Sequence, residues 1–138
     1  MPNTDSCEPQ VIRALDKAGW GVIKKTYAIM LGADRGFIFA DLQVRRRRSR
    51  QQAIIVEVKC FSDRAARLSE FYRAVGQYIV YRNGLRLDGF KGEIYLAMPI
   101  EIYEDLIQLA PVRDAINEVK MKLILIDIET ETMIAWIN

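Results

Sequence analysis

The feature that most limits how this chain folds is a pair of short apolar runs, residues 37–44 and 53–61. They are split by a polar tract carrying Arg45, Arg46, Arg47, Arg48 and Arg50. Both runs are rich in β-branched and aromatic residues, so they read as neighbouring strands joined by a turn. Asp41 lies inside the first run; Glu57 and Lys59 lie in the second, two residues apart. Strand side chains alternate faces, which points Glu57 and Lys59 the same way. A turn closing near Arg47 brings Asp41 alongside them, so two carboxylates and an ammonium share one patch of a rigid sheet.

A charge in an apolar strand is costly to bury unless it is paired or binds a metal. Hard cations such as Mg²⁺ or Mn²⁺ take oxygen ligands, and Mg²⁺ is usually held by one or two carboxylates with water and phosphate completing the shell. Asp41 and Glu57 are therefore candidate metal ligands. Lys59 beside them is placed to orient a water and to offset charge growing on a phosphate. The set suits metal-assisted phosphodiester hydrolysis. A plain ion pair of Lys59 with Glu57 or Asp41 accounts for the same spacing equally well.

The chain contains no histidine. That argues against the usual zinc sites, His-based triads and any imidazole base, and leaves acid–base work to carboxylate, lysine, tyrosine or an activated water. With 138 residues, 51% of them hydrophobic, one domain spanning 1–138 with a substantial core is expected. No apolar run approaches the roughly 18 residues of a membrane span. The first six residues lack the basic-then-apolar order of a secretory signal, so a cytoplasmic location is expected. Cys7 and Cys60 are the only cysteines. Cys60 falls in a predicted core strand and reads as a buried thiol rather than half of a bridge. A formal net charge of only +2 means that nucleic-acid affinity must come from a local patch.

In chain order, Glu8-Pro9 followed by Val11, Ile12, Leu15 and Ala18 reads as a first helix ending at Gly19. Glu8 projects from its apolar stripe, either capping the helix start or reaching toward the sheet. Residues 20–27 read as a strand, with a loop through 32–36 before the Asp41 strand. The arginine tract is a solvated turn or a finger that forks onto phosphate oxygens; its arginines, uninterrupted by acid, favour the finger. Residues 63–83 form the longest helix, with Leu68, Phe71, Tyr72, Val75 and Ile79 as its apolar stripe and Gly84 as its end signal. Gln77, Tyr81 and Arg73 share another face. Gly76 within this helix hints at close packing. A strand over 92–99, a helical region from 100 with a second part from Pro111, and strands over 122–128 and 133–137 complete an α/β domain.

At this point the residues resemble a known family. Asp41 followed by Glu57-Val58-Lys59 is similar to the D…(D/E)-x-K core of the PD-(D/E)XK, or restriction-endonuclease-like, superfamily. Gln77-Tyr78-Ile79-Val80-Tyr81 resembles the Q-x-x-x-Y signature of some nuclease branches, and Glu8 matches an acid many members place on the first helix. The run 76–82, together with 95–99, 103–105 and the ending 134–138, resembles the XisH family, the cyanobacterial fdxN-element excision controlling factors. The resemblance implies a restriction-endonuclease-like fold, a central mixed β-sheet flanked by helices. It also implies a role assisting a site-specific recombinase in excising a DNA element during heterocyst differentiation, beside a small XisI-like partner protein.

Three readings follow. The first is a Mg²⁺- or Mn²⁺-dependent nuclease: Asp41 and Glu57 hold the metal, Lys59 positions water, Glu8 and Gln77 support the site, and Arg45, Arg46, Arg47, Arg48 and Arg50 grip DNA. The second is a non-catalytic regulator that keeps the nuclease fold for DNA or protein binding. The third is a structural homodimer, for which exposed aromatics at Tyr27, Tyr95 and Tyr103 give slight support.

Overall fold

The computed structural model describes residues 6–32 and 34–138. Residues 1–5 of the stretch read for targeting signals, and Ala33 of the predicted loop, lie outside them. Helix α1 (Glu8–Lys17) leads into strands β1 (Trp20–Gly32), β2 (Gly36–Arg46) and β3 (Ile54–Val58). A 3-10 turn (Arg64–Ala66) runs into α2 (Arg67–Leu87), followed by β4 (Ile94–Pro99), α3 (Ile100–Leu106), α4 (Ala110–Val119), β5 (Leu123–Asp127) and β6 (Thr132–Ile137). Among the described residues, six strands form one sheet in the order β1-β2-β3-β4-β5-β6. β3, β4 and β5 run parallel and the other neighbours antiparallel. The expected mixed sheet flanked by helices is what forms. Among the described residues no helix is long and apolar enough to cross a membrane.

The three parallel strands are buried almost throughout, which is why their sequences are continuous apolar runs rather than alternating ones. Their two faces feed two cores. On one, Val11, Ala14 and Leu15 of α1 pack over Leu42, Val44, Val56 and Val58. On the other, Phe71, Ala74 and Tyr78 of α2, with residues of α3 and α4, pack over Ile55, Leu96 and Leu123. The buried Tyr78 hydroxyl donates to the Ile94 carbonyl at 3.1 Å and accepts from the Lys122 amide at 3.0 Å, so it stitches the entries of β4 and β5.

Several expectations need correction. The buried stripe of α2 is Phe71, Ala74, Tyr78 and Leu85, rotated from the predicted one, while Leu68 and Tyr72 are exposed. Both faces of this helix carry apolar residues, so periodicity alone did not choose between them. Gly76 faces open space, and the close approach is at Gly84, where an added Cβ would lie 2.7 Å from Ile29 Cγ2. The helix runs through Gly84 to Leu87, because there the glycine admits β1 rather than ending the helix. Tyr95 is buried, edge-on to Trp136 and hydrogen-bonded to Asn138, and Tyr27 and Tyr103 are half-buried. Cys60 is not a free thiol: it is disulfide-bonded to Cys7. The start of α1 lies over the end of β3, and packing both cysteines into one core brings their Cα atoms to 5.8 Å, within disulfide reach.

Candidate functional site

The β2–β3 ladder pairs Val44 with Ile54, Gln43 with Ile55 and Leu42 with Val56. One step further, Asp41 stands opposite Glu57, and the regular ladder stops. Side chains take over the backbone amides: the Asp41 N–H donates to Glu57 Oε1 at 3.0 Å, and the Val58 N–H donates to Asp41 Oδ2 at 2.7 Å. Each carboxylate is thereby pinned by the other strand. The β1–β2 ribbon also turns over at this point. Ala40 packs in the α2-side core and Leu42 in the α1-side core, although residues two apart on a flat strand share a face. Thr26, across from Asp41 by the β1–β2 count, has φ +66°. That is a rare conformation for a β-branched residue, and such strain clusters at functional sites.

Burial sets the electrostatics. Glu57 is 7% exposed. Its carboxyl is pushed up to about 9, first by desolvation, then by the charge and hydrogen bond of Asp41, with Lys59 opposing. The Tyr81 phenol on α2 is pushed up to about 12 by burial and then by the charges of Glu57 and Asp41. The charges of the pair thus reach Tyr81, which stays protonated, a donor rather than a base. Gln77, one helical turn earlier, carries a buried Oε1 with no hydrogen-bond partner. Buried acceptors left unmatched are rare and call for an explanation.

Lys59 lies just beyond the end of β3, not inside it, though its amide still donates to the Ala97 carbonyl at 2.9 Å. Its ammonium is near enough to oppose the shift at Glu57 without forming an ion pair with either acid. It opens into a cleft of about 250 Å³ shared with Ser62, Asp63, Glu70 and Arg73. The structure thus brings together Asp41, Glu57 and Lys59, and sets Gln77 beside Tyr81. Glu8 is buried at the start of α1 with an ion pair to Lys25 at 3.6 Å. Among the described residues no three His, Cys, Asp or Glu side chains gather into a metal-holding group.

The arginine tract divides. Arg47 is engaged: its guanidinium pairs with Asp16, and its amide donates to the Gly19 carbonyl at 2.8 Å, tying the turn to the end of α1. Arg45, Arg46, Arg48 and Arg50 are exposed without partners among the described residues and line a cleft of about 480 Å³ with Gly21, Val22 and Ile23. Sequence gives Tyr81 and Arg73 a shared face with Gln77, and Tyr81 a place in the Q-x-x-x-Y signature, but no role in the site, and it gives Thr26 neither. The four-residue spacing of Arg73, Gln77 and Tyr81 was the available signal for the first two; a strained threonine leaves none.

The fold and this geometry define a mixed α/β protein with two acids held at the point where neighbouring strands part. The XisH protein family model matches residues 1–134, and the chain belongs to that family. Two solved structures are similar over nearly the whole chain. One is an XisH family protein from Nostoc punctiforme PCC 73102, 32% identical, covering 96% of this chain and 100% of its own, with a TM-score of 0.83. The other is a fdxN element excision controlling factor protein from Anabaena variabilis, 32% identical, covering 97% of this chain and 100% of its own, with a TM-score of 0.84. Among curated protein sequences, none matches the chain.

Proposed function

We propose that this chain, like its Anabaena variabilis relative, is an fdxN-element excision controlling factor, and that it acts on DNA through a nuclease-like metal site of the restriction-endonuclease-like type. The observation that carries the reading is the acid pair: two carboxylates, one of them buried, each pinned to the opposite strand. A buried Glu57 beside Asp41 is unfavourable as a charged group unless a cation offsets both. Two adjoining carboxylates are the donor type Mg²⁺ or Mn²⁺ takes, with Asp41 and Glu57 as the ligands and Gln77, its Oε1 buried and unmatched, supporting the site. When bound, the ion supplies Lewis acidity toward a phosphoryl oxygen. Lys59 holds and orients the attacking water and balances charge on the phosphate, and Tyr81 donates a hydrogen bond. Arg45, Arg46, Arg48 and Arg50 hold the DNA backbone. A site-specific recombinase and an XisI-like protein are the partners this role calls for.

The test is Mn²⁺ binding followed by electron paramagnetic resonance, with DNA cleavage assayed in parallel. Wild type should bind, and Asp41→Asn and Glu57→Gln should not. Lys59→Ala should bind the ion yet lose cleavage. Absence of Mn²⁺ binding by wild type removes the metal site. A second reading, a regulator that binds DNA without cutting it, draws on the unpartnered arginines alone. It predicts salt-sensitive DNA binding that survives Lys59→Ala, with no cleavage by wild type.

A further inference from the structure

We infer that the Cys7–Cys60 disulfide is a redox-operated latch, which holds the start of α1 on the end of β3 and is opened by a dithiol reductant. The latch stands on the local architecture; only its consequence for metal binding rests on the function proposed above. The bond joins the residue directly before Glu8 to the residue directly after Lys59. It therefore spans two elements at the points where each delivers a charged side chain.

Cys7 and Cys60 are packed in the core and Glu8 is tied to Lys25 of β1, but the link between the start of α1 and the end of β3 runs through the disulfide. β3 ends at Val58, and the Lys59 amide makes the last bond toward β4. The chain then leaves regular structure, with Phe61 at φ +52°. Cys7 is the N-cap of α1 and offers no side-chain cap bond. Among the described residues, the polar contacts that run directly across the joint are the Cys7 amide on Cys60 Sγ at 3.0 Å and a contact between the exposed Ser6 and Ser62 hydroxyls at 3.1 Å. The hydrophobic anchors of α1, Val11, Ala14 and Leu15, sit further along the helix. Opening the bond thus releases the joint while leaving the helix docked.

Both cysteines are largely buried, and the bond is approached from one side. A cleft of about 430 Å³ opens beside it, lined by Ser6, Gln10, Ser62 and Arg67 along with both cysteines. One thiolate of the dithiol attacks a disulfide sulfur, the S–S bond breaks, and a mixed disulfide forms as the other cysteine leaves as thiolate. The second thiol of the reductant then displaces the remaining cysteine. Two electrons pass to the cysteine pair, the reductant departs as its own disulfide, and its two protons end on the two cysteine thiols.

The experiment compares the full chain, oxidised with diamide or reduced with dithiothreitol. Mass after alkylation counts free thiols, and hydrogen exchange reports on the segments around Glu8 and Lys59. The oxidised form should carry no free thiol, and amides at 59–61 should exchange at least about tenfold more slowly than in the reduced form, while the centre of α2 is unchanged. Cys7→Ser and Cys60→Ser should each match the reduced protein and ignore dithiothreitol. Mn²⁺ affinity should fall severalfold on reduction. Two free thiols after diamide, or equal exchange in the two forms, overturns the latch. A clear exchange difference with no Mn²⁺ binding in either form upholds the latch and removes the metal site instead.

Discussion

Replacing Glu57 by glutamine should make the metal-free protein more stable, and the gain should grow with pH. Glu57 is buried and its carboxyl is raised from 4.5 to about 9 in the folded chain. Ionisation therefore favours the unfolded chain. The residue costs almost nothing below the lower value, and its cost rises with pH until the upper one is passed. Between those limits the slope is about 1.4 kcal/mol per pH unit, so near pH 7 the cost is about 3 kcal/mol. Glutamine keeps the shape, can accept the Asp41 amide through Oε1, and can donate to the Asp41 carboxylate, with which the Glu57 carboxyl shares a hydrogen bond. Urea unfolding of wild type and Glu57→Gln, in chelator, at about pH 5, 7 and 8.5, measures the difference directly. A gap that does not widen with pH, or a variant less stable than wild type at about pH 7, refutes the argument that burial holds this carboxyl neutral.

Four further outcomes are expected. Gly76→Ala should raise stability by up to about 1 kcal/mol, because the position is helical and open, whereas Gly84→Ala should lower it as its methyl meets Ile29; thermal melts separate the two. Breaking the Cys7–Cys60 link should lower stability by about 4 kcal/mol on chain-entropy grounds, read by denaturant unfolding with and without dithiothreitol. Substituting Arg45, Arg46, Arg48 and Arg50 by alanine should flatten the salt dependence of DNA binding by up to about 0.9 in log–log slope per lost phosphate contact, whereas Arg47→Ala should chiefly loosen the turn from α1. Tyr78→Phe should cost about 1–3 kcal/mol by orphaning the Ile94 carbonyl and the Lys122 amide, measurable by urea unfolding.

The order of elements was legible because each rests on a local signal. The buried β3, β4 and β5 announce themselves as apolar runs, Pro9 and Pro111 sit in first helical turns, and the arginine tract marks the turn between β2 and β3. What stayed hidden depends on contacts between distant segments. Periodicity placed Leu68 and Tyr72 on the buried face of α2, yet α2 meets the sheet through Phe71, Ala74 and Tyr78. Nothing local says that Gly84 rather than Gly76 meets a strand, or that Cys7 comes to rest on Cys60 across 53 residues.

The acid pair shows most clearly where a sequence pattern stops and three-dimensional structure begins. Alternation alone puts Glu57 on the side of Ile55, facing α2, and that is where Tyr81 senses it. The same rule applied to β2 places Ala40 and Leu42 together, and fails, because the ribbon turns over between them. Asp41 is the residue at the turnover. There the regular pairing with β3 ends, and its own amide, with that of Val58, is satisfied by carboxylates instead of carbonyls. An alternation break that would disorder an ordinary sheet is here what lets two acids occupy the gap between strands. The strained Thr26 across the ribbon marks the same turnover from the other side. Thr26→Gly, which admits the positive φ without a Cβ, should therefore stabilise the fold by about 1 kcal/mol while leaving the acid pair in place. Loss of stability in that variant would mean that the threonine side chain, and not the backbone turn, holds this part of the ribbon.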